Sequence, residues 1–178
     1  MWLTTNNGLV SFQPATGAMK VYTTANGLLG EQFNYRSSFE TEDGTIYLGS
    51  IDGFVAFNPK NFSENKSLPS IVITDFLLFG KEVYPGDPSS PLKKSINFLD
   101  ELVLQPDQNS FSFRVAALDF QAPRMNQIMY KLDGFDDEWL PVGESPVVSY
   151  SNLWYGNYTF RVKASNSDGV WNENEVSL

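Results

Sequence analysis

The sequence predicts an all-β protein in which partial β-propeller blades are followed by a β-sandwich. Apolar and polar residues alternate in several short segments that are separated by turn residues, as in half-buried strands. None of these segments carries apolar residues at the spacing of an α-helix. A stretch at the N-terminus also recurs 45 residues later, and a repeat of about this length built from short strands is typical of propeller blades.

The repeat pairs WLTTNNGLVSFQP, which begins at Trp2, with YLGSIDGFVAFNP, which begins at Tyr47. Each copy predicts a strand, a tight turn and a second strand. We expect Gly8 and Gly53 to supply the positive φ that such turns require. Residues 1–60 therefore predict about one and a half blades, too few to close a ring. The identical pairs are Leu3/Leu48, Gly8/Gly53, Val10/Val55, Phe12/Phe57 and Pro14/Pro59.

Residues 61–70 predict a polar linker, and the alternation restarts at Ile71. Short strands are predicted at IVITDFLLF, ELVLQ, NSFSFRVAALDF, QIMYKLDGF, PVVSYSNL and NYTFRVKAS, so residues 71–178 predict a sandwich. In the third of these strands we expect one buried face and one wet face. The predicted buried residues are Phe111, Phe113, Val115 and Ala117, and the opposite residues are Ser110, Ser112, Arg114 and Ala116.

The last of these strands alternates most strictly. Its predicted buried face carries Tyr158, Phe160, Val162 and Ala164, and its predicted wet face carries Thr159, Arg161, Lys163 and Ser165. A tyrosine at the start of such a strand resembles the tyrosine corner of immunoglobulin-like and fibronectin type III sandwiches, in which the hydroxyl bonds to upstream backbone. We favour this structural role for the tyrosines over stacking on a ligand.

Composition excludes several classes of function. The chain has 12 basic and 21 acidic residues, a formal net charge of −9, which argues against a nucleic acid partner. It contains no cysteine and no histidine. Disulfides, thiolate metal sites, a Ser-His-Asp triad and a phospho-accepting histidine are therefore impossible within it. Its apolar runs are also too short to span a bilayer.

Two clusters are candidate sites. The first is acidic, with Asp133, Asp136, Asp137 and Glu138. Its spacing does not match a calcium loop, and neighbouring turn residues do not face each other across a sugar, so we predict a solvated turn with no metal, no cofactor and no catalysis. The second is Asn34, Tyr35 and Arg36, where an aromatic beside an arginine and an amide suits a sugar. The alternative, which we favour, is that Tyr35 packs between blades.

The two parts together resemble the end of the periplasmic sensor region of Bacteroidetes hybrid two-component regulators. Residues 1–60 resemble the last regulator-propeller repeat, and residues 71–178 resemble the Y_Y_Y domain. The resemblance places the three signature tyrosines at Tyr130, Tyr150 and Tyr158, and tryptophans at Trp139 and Trp171. In the family a further strand leads toward a transmembrane helix. We expect this chain to stop at WNENEVSL just as that strand begins, which would leave an unpaired sheet edge.

The resemblance implies a sensor fragment that is not itself an enzyme. The complete propeller would bind an oligosaccharide in the periplasm, and the sandwich would relay the signal to a cytoplasmic histidine kinase, through a homodimer, with polysaccharide utilisation and transcription regulation as the outcome. The membrane would be reached only through the parent protein's transmembrane helix. The alternative is a carbohydrate-binding or spacer sandwich of an extracellular glycan-degrading enzyme.

Overall fold

The computed structural model describes residues 1–62 and 65–178. It divides into two compact units, Met1–Glu64 and Asn65–Leu178. The division falls within residues 61–70, the segment that the sequence predicts to be a linker. In the described residues, no helix combines the length and the apolar character needed to cross a bilayer.

The first unit consists of two antiparallel three-stranded sheets, with strand orders β1-β2-β3 and β4-β5-β6. The repeated glycines have φ of 103° at Gly8 and 139° at Gly53, which confirms the predicted turns. The strands are β1 (Trp2–Thr5), β2 (Gly8–Gln13), β3 (Ala18–Tyr22), β4 (Phe33–Glu40), β5 (Ile46–Ser50) and β6 (Gly53–Phe57), with short 3-10 helices at Thr24–Asn26 and Pro59–Asn61.

Aromatic rings join the two sheets of this unit. The Trp2 ring lies 4.6 Å from Phe57 and 5.0 Å from Phe62, measured between ring centroids. On the opposite faces of the sheets, Met19 and Phe39 are 71% and 66% exposed. Large apolar side chains on both outer faces are typical of blades that pack between neighbouring blades.

The second unit is a sandwich of two antiparallel four-stranded sheets, with strand orders β12-β9-β7-β8 and β11-β10-β13-β14. Its strands are β7 (Ser70–Leu78), β8 (Lys81–Glu82), β9 (Ser110–Leu118), β10 (Gln127–Asp133), β11 (Leu140–Pro141), β12 (Val147–Ser151), β13 (Thr159–Ser165) and β14 (Trp171–Ser177), and 3-10 helices lie at Ile96–Phe98 and Pro123–Met125.

The core of the sandwich lies between the inner faces of β9 and β13. Phe113 of β9 and Phe160 of β13 stack with ring centroids 4.3 Å apart and ring planes at 22°. The core residues predicted from alternation are buried as expected, except that Tyr158 and Ala117 are only half-buried. The confirmed set is Phe111, Phe113, Val115, Phe160, Val162 and Ala164.

Two strand predictions are wrong. Glu101–Gln105 forms no strand, although the structure describes this segment in full. Leu102 and Leu104 instead pack against the core from an irregular connection. Their alternate positions in the sequence therefore reflect which side chains are buried, although the segment pairs with no neighbouring strand. The second wrong prediction is that the chain ends at WNENEVSL before a strand can form. Trp171–Ser177 instead forms the seven-residue strand β14, which pairs with β13.

The wet face predicted for β13 is also partly wrong. Ser165 is fully buried. Its neighbour Asn166 donates to the carbonyl oxygens of Asn65 and Ser67 at 2.6 and 2.8 Å, so the segment that enters the sandwich crosses this end of the strand. Ser112 of β9, also predicted on a wet face, is nearly buried and shares a hydrogen bond with Ser149.

Replacing Phe160 by alanine should lower the free energy of unfolding by about 3 to 5 kcal/mol, because it removes a stacked ring from the centre of the core and leaves a cavity. Urea unfolding of the purified chain measures this loss. Thr159→Ala, at the exposed neighbouring position of the same strand, is the matched control. Equal midpoint shifts for the two variants would show that the register of β13 is wrong.

Candidate functional site

The predicted ligand residues Asn34, Tyr35 and Arg36 lie on an exposed irregularity of β4. The pairing of β4 with β5 shifts between Phe33 and Ser38, so the intervening residues bulge out of the ladder. Arg36 has φ of 57°, and its guanidinium carbon lies 5.2 Å from the centroid of the Tyr35 ring. Tyr35 is 87% exposed. The bulge thus presents an aromatic ring and a cation together to solvent.

A cleft that was not predicted from the sequence lies beside this strand. The cleft has a volume of about 440 Å³ and is open to solvent. The Asp52 carboxylate lies against Gly30, so a larger residue at this position would require the Asp52 side chain to move. Asn34, Tyr35 and Arg36 lie outside its lining, which consists of Thr24, Leu29, Gly30, Glu31, Gln32, Ile51 and Asp52.

Tyr150 is the most deeply buried of the three signature tyrosines, at 6% exposure. Its hydroxyl donates to Asp136 Oδ2 at 2.9 Å, and the same oxygen accepts from the Leu132 backbone at 2.8 Å. Burial, followed by this hydrogen bond, raises the pKa of Tyr150 above its ordinary value. Burial also raises the pKa of Tyr130, whose ring lies 6.4 Å from the Tyr150 ring.

Asp136 is therefore a structural acceptor and not merely part of a solvated turn, as the sequence predicts for this acidic cluster. Asp133, in the same acidic cluster, forms an ion pair with Arg161, with 3.2 Å between the carboxylate oxygen and the guanidinium nitrogen. In the described parts of the chain, no group of three or more acidic, histidine or cysteine side chains is arranged to hold a metal ion.

Tyr158 forms the predicted tyrosine corner. Its hydroxyl donates to the Trp154 carbonyl oxygen at 3.0 Å, which confirms the predicted bond to upstream backbone. Its ring lies against Gly134, where a Cβ would come within 3.2 Å of the ring. The turn after β10 and the loop before β13 are therefore joined through this tyrosine.

Trp139 and Trp171 flank Lys163 on the outer face of the sheet that contains β13. The Lys163 Nζ lies 4.8 Å from the Trp139 ring centroid and 5.5 Å from the Trp171 ring centroid. Arg161 lies 5.4 Å from the Trp139 ring centroid and pairs with Glu175. Both cations are thus covered by aromatic and acidic side chains, whereas the sequence predicts that they are simply solvated.

Comparison with known proteins adds four similarities to this geometry. Residues 119–178 match the Y_Y_Y domain family. The chain is 33% identical over its 178 residues to Histidine kinase P4 of Formosa agariphila, and it spans 13% of the length of that curated relative.

The other two similarities are to solved structures. The chain superimposes over 99% of its length, with a TM-score of 0.75 and 25% identity, on 24% of the extracellular domain of the hybrid two component system BT3049 from B. thetaiotaomicron. The corresponding domain of the hybrid two component system BT4673 from the same organism matches 99% of the chain over 23% of its own length, with a TM-score of 0.55 and 25% identity.

Tyr158→Phe should lower the free energy of unfolding by about 1 kcal/mol, because it keeps the ring and removes only the hydroxyl that bonds to Trp154. Thermal unfolding measures the change. Tyr35→Phe removes a hydroxyl from an 87% exposed ring and is the control. If the two variants melt together, the tyrosine corner contributes nothing to stability.

Tyr150→Phe should make the chain less sensitive to alkaline pH. The folded chain holds the Tyr150 proton after an unfolded tyrosine, with its ordinary pKa of 10.0, has begun to lose it. The stability that Tyr150 contributes is therefore present below pH 10.0 and declines as the pH rises above that value. The variant cannot ionise at this position, so its unfolding free energy should fall less over the same range.

Denaturant titrations at a series of alkaline pH values measure this difference. Tyr155→Phe, which removes a hydroxyl from a ring that is 97% exposed, is the matched control. If the unfolding free energy of Tyr150→Phe falls with pH as steeply as that of the wild-type chain, Tyr150 is not the group that holds the buried proton.

Proposed function

We propose, from the premise that this chain is a Y_Y_Y-containing part of the extracellular region of a hybrid two-component system protein, that it serves an oligosaccharide sensor. The observation that carries the proposal is the superposition of nearly the whole chain on such an extracellular domain with a TM-score of 0.75. The chain itself lacks histidine, so the phospho-accepting group of a kinase parent lies elsewhere in that parent. The chain's own role is then to bind and to transmit.

The ligand in this proposal is a sugar held by several blades of a complete propeller. The β4 bulge contributes Tyr35 as a stacking ring and Arg36 as a donor to hydroxyl, carboxylate or sulfate oxygens. The left-handed backbone of Arg36 supports a binding role, because such strain concentrates at functional positions. Under the alternative that Tyr35 packs between blades, a further blade would cover this ring.

The sandwich in this proposal transmits the state of the propeller toward the membrane. The sensor region lies in the periplasm, and the polypeptide that follows the sandwich crosses the inner membrane. A homodimer of the parent brings two kinase modules together, and the response regulates genes for polysaccharide use. The dense aromatic core supports this role, because a well-packed sandwich moves as one body.

Calorimetric titration with a panel of plant and host glycan oligosaccharides should give no binding heat for residues 1–178 and measurable heat for the complete extracellular region. Binding costs at least about 4 kcal/mol in lost translational and rotational freedom. Contacts from one bulge are too few to offset that loss, whereas contacts from several blades suffice.

Stoichiometric, micromolar binding by residues 1–178 alone would contradict this expectation and favour the carbohydrate-binding module of a glycan-degrading enzyme. Tyr35→Ala and Arg36→Ala would then locate the site, since loss of heat in both assigns it to the β4 bulge. In the complete region, the same two variants should weaken binding, while Glu42→Ala, an exposed control in the turn between β4 and β5, should not.

A further inference from the structure

The strand register brings three loops of the sandwich to one end of the second unit. Leu78 pairs with Phe111, and Ser151 pairs with Ser110, so the turn after β7 and the loop after β12 both follow that end of the sheet. In the other sheet, Asp133 pairs with Thr159, and the Tyr150 hydroxyl of β12 donates to Asp136, which places the turn after β10 at the same end. The segment that enters the sandwich at Ser70 lies at the opposite end, because Ser70 pairs with Leu118.

Each of these three loops exposes large aromatic side chains. Trp154 is 82% exposed and Tyr155 is 97% exposed in the loop between β12 and β13. Phe79 is 59% exposed in the turn after β7, and Phe135 is 56% exposed in the turn after β10. We call these four residues the aromatic end. Exposed aromatic groups of this number at one end of a domain are typical of an interaction surface.

The aromatic end is held in place and not left to loop mobility. The Trp154 carbonyl accepts from Tyr158, whose ring packs against the turn that carries Phe135. The Phe135 ring meets the buried Tyr150 ring edge to face, at 5.8 Å between centroids. A surface ordered in advance loses little conformational entropy when it binds.

The C-terminal strand leads to this same end. Leu178 and Phe160 exchange backbone hydrogen bonds at 2.9 and 3.0 Å, so the chain reaches Leu178 beside the start of β13. Under the proposed function, the polypeptide beyond the sandwich crosses the membrane. The aromatic end is then the part of the sandwich that lies next to the bilayer.

We infer that the aromatic end rests on the interfacial region of the membrane, with Trp154 and Tyr155 as its main contacts. Tryptophan and tyrosine favour this region because an apolar ring and a polar N–H or O–H are both satisfied there. The inference rests on the proposed function for the position of the membrane. Its consequence is that the sandwich has a fixed orientation above the bilayer and does not pivot freely on its tether.

The surroundings of the aromatic end favour a zwitterionic lipid surface over an anionic lipid surface and over a sugar. The exposed carboxylates of Asp137 and Glu138 lie just beyond Phe135 in sequence and oppose contact with anionic headgroups. A sugar site requires a concave pocket with converging polar groups, and the four aromatic residues lie outside the lining of both the cleft beside β4 and an open cleft on the outer face of the sheet that contains β13. A tether also raises the effective concentration of the membrane, so a weak contact is enough.

The test attaches the 178-residue chain to vesicles through a polyhistidine tag placed after Leu178. The vesicles contain phosphatidylcholine and phosphatidylethanolamine with brominated acyl chains, which quench tryptophan fluorescence on contact, and a small fraction of nickel-chelating lipid. Tryptophan quenching should be clear in the wild-type chain, and most of it should be lost in Trp154→Phe. Tyr155→Ala should reduce the quenching of Trp154, because it removes the neighbouring anchor.

Two controls separate contact from attachment. Phe120→Ala removes a ring that is 85% exposed and follows β9 at the opposite end of the sandwich, and it should leave the quenching unchanged. Releasing the tag from the vesicles with imidazole should abolish the part of the quenching that depends on Trp154. Because all these residues are exposed, the variants should melt at the wild-type temperature.

Equal quenching in wild type and Trp154→Phe would overturn the inference. So would a shift of Trp154 emission caused by an oligosaccharide without vesicles, which would assign the aromatic end to sugars. Association of the chain in solution that Tyr155→Ala abolishes, with no quenching on vesicles, would assign it to a second copy. The measurement needs neither sugar nor kinase, so its failure leaves the calorimetric test of the sensor role intact.

Discussion

The stack of Phe113 on Phe160 is the contact on which the sandwich depends. It joins the two sheets at their centre, and each ring belongs to a strand whose alternation leaves only one face available for the core. A slip of one residue in β13 would exchange Phe160 for the charged Arg161. Burying the Arg161 charge without its partners would cost several kcal/mol, a large fraction of the roughly 5 to 15 kcal/mol by which a whole domain is stable. The register of both sheets follows from this constraint.

Alternation made the buried faces of β9 and β13 predictable, because it depends only on residues two apart in sequence. The errors arose where burial depends on distant parts of the chain. Ser165 is buried beside an asparagine that holds the entering segment, about a hundred residues away in sequence. In the sequence Asp136 is one of four neighbouring carboxylates, and its hydrogen bond with Tyr150 is evident only in the structure. Short-range patterns carry no information about such pairs.

For the candidate ligand residues Asn34, Tyr35 and Arg36, too, the sequence predicted the chemistry of the side chains but not their local geometry. Their residue types were readable from the sequence as suited to sugars. The sequence did not reveal that β4 departs from its ladder between Phe33 and Ser38, or that the Ser37 side chain lies against Gly49 of β5. The exposed geometry of Tyr35 and Arg36 thus depends on how β4 pairs with the neighbouring strand.

The signature tyrosines serve the core and the surface at once. Tyr150 is buried against Phe111 and Phe160, yet its ring supports the exposed Phe135. Tyr158 secures the loop that presents Trp154. Under the proposed function, a movement imposed where β7 enters the sandwich meets a continuous row of packed rings, Phe76, Phe113 and Phe160, that leads into the core. The proposed relay and the stability of the sandwich then require the same aromatic residues, so a substitution that loosens the core should also weaken the coupling that the proposal assigns to the sandwich.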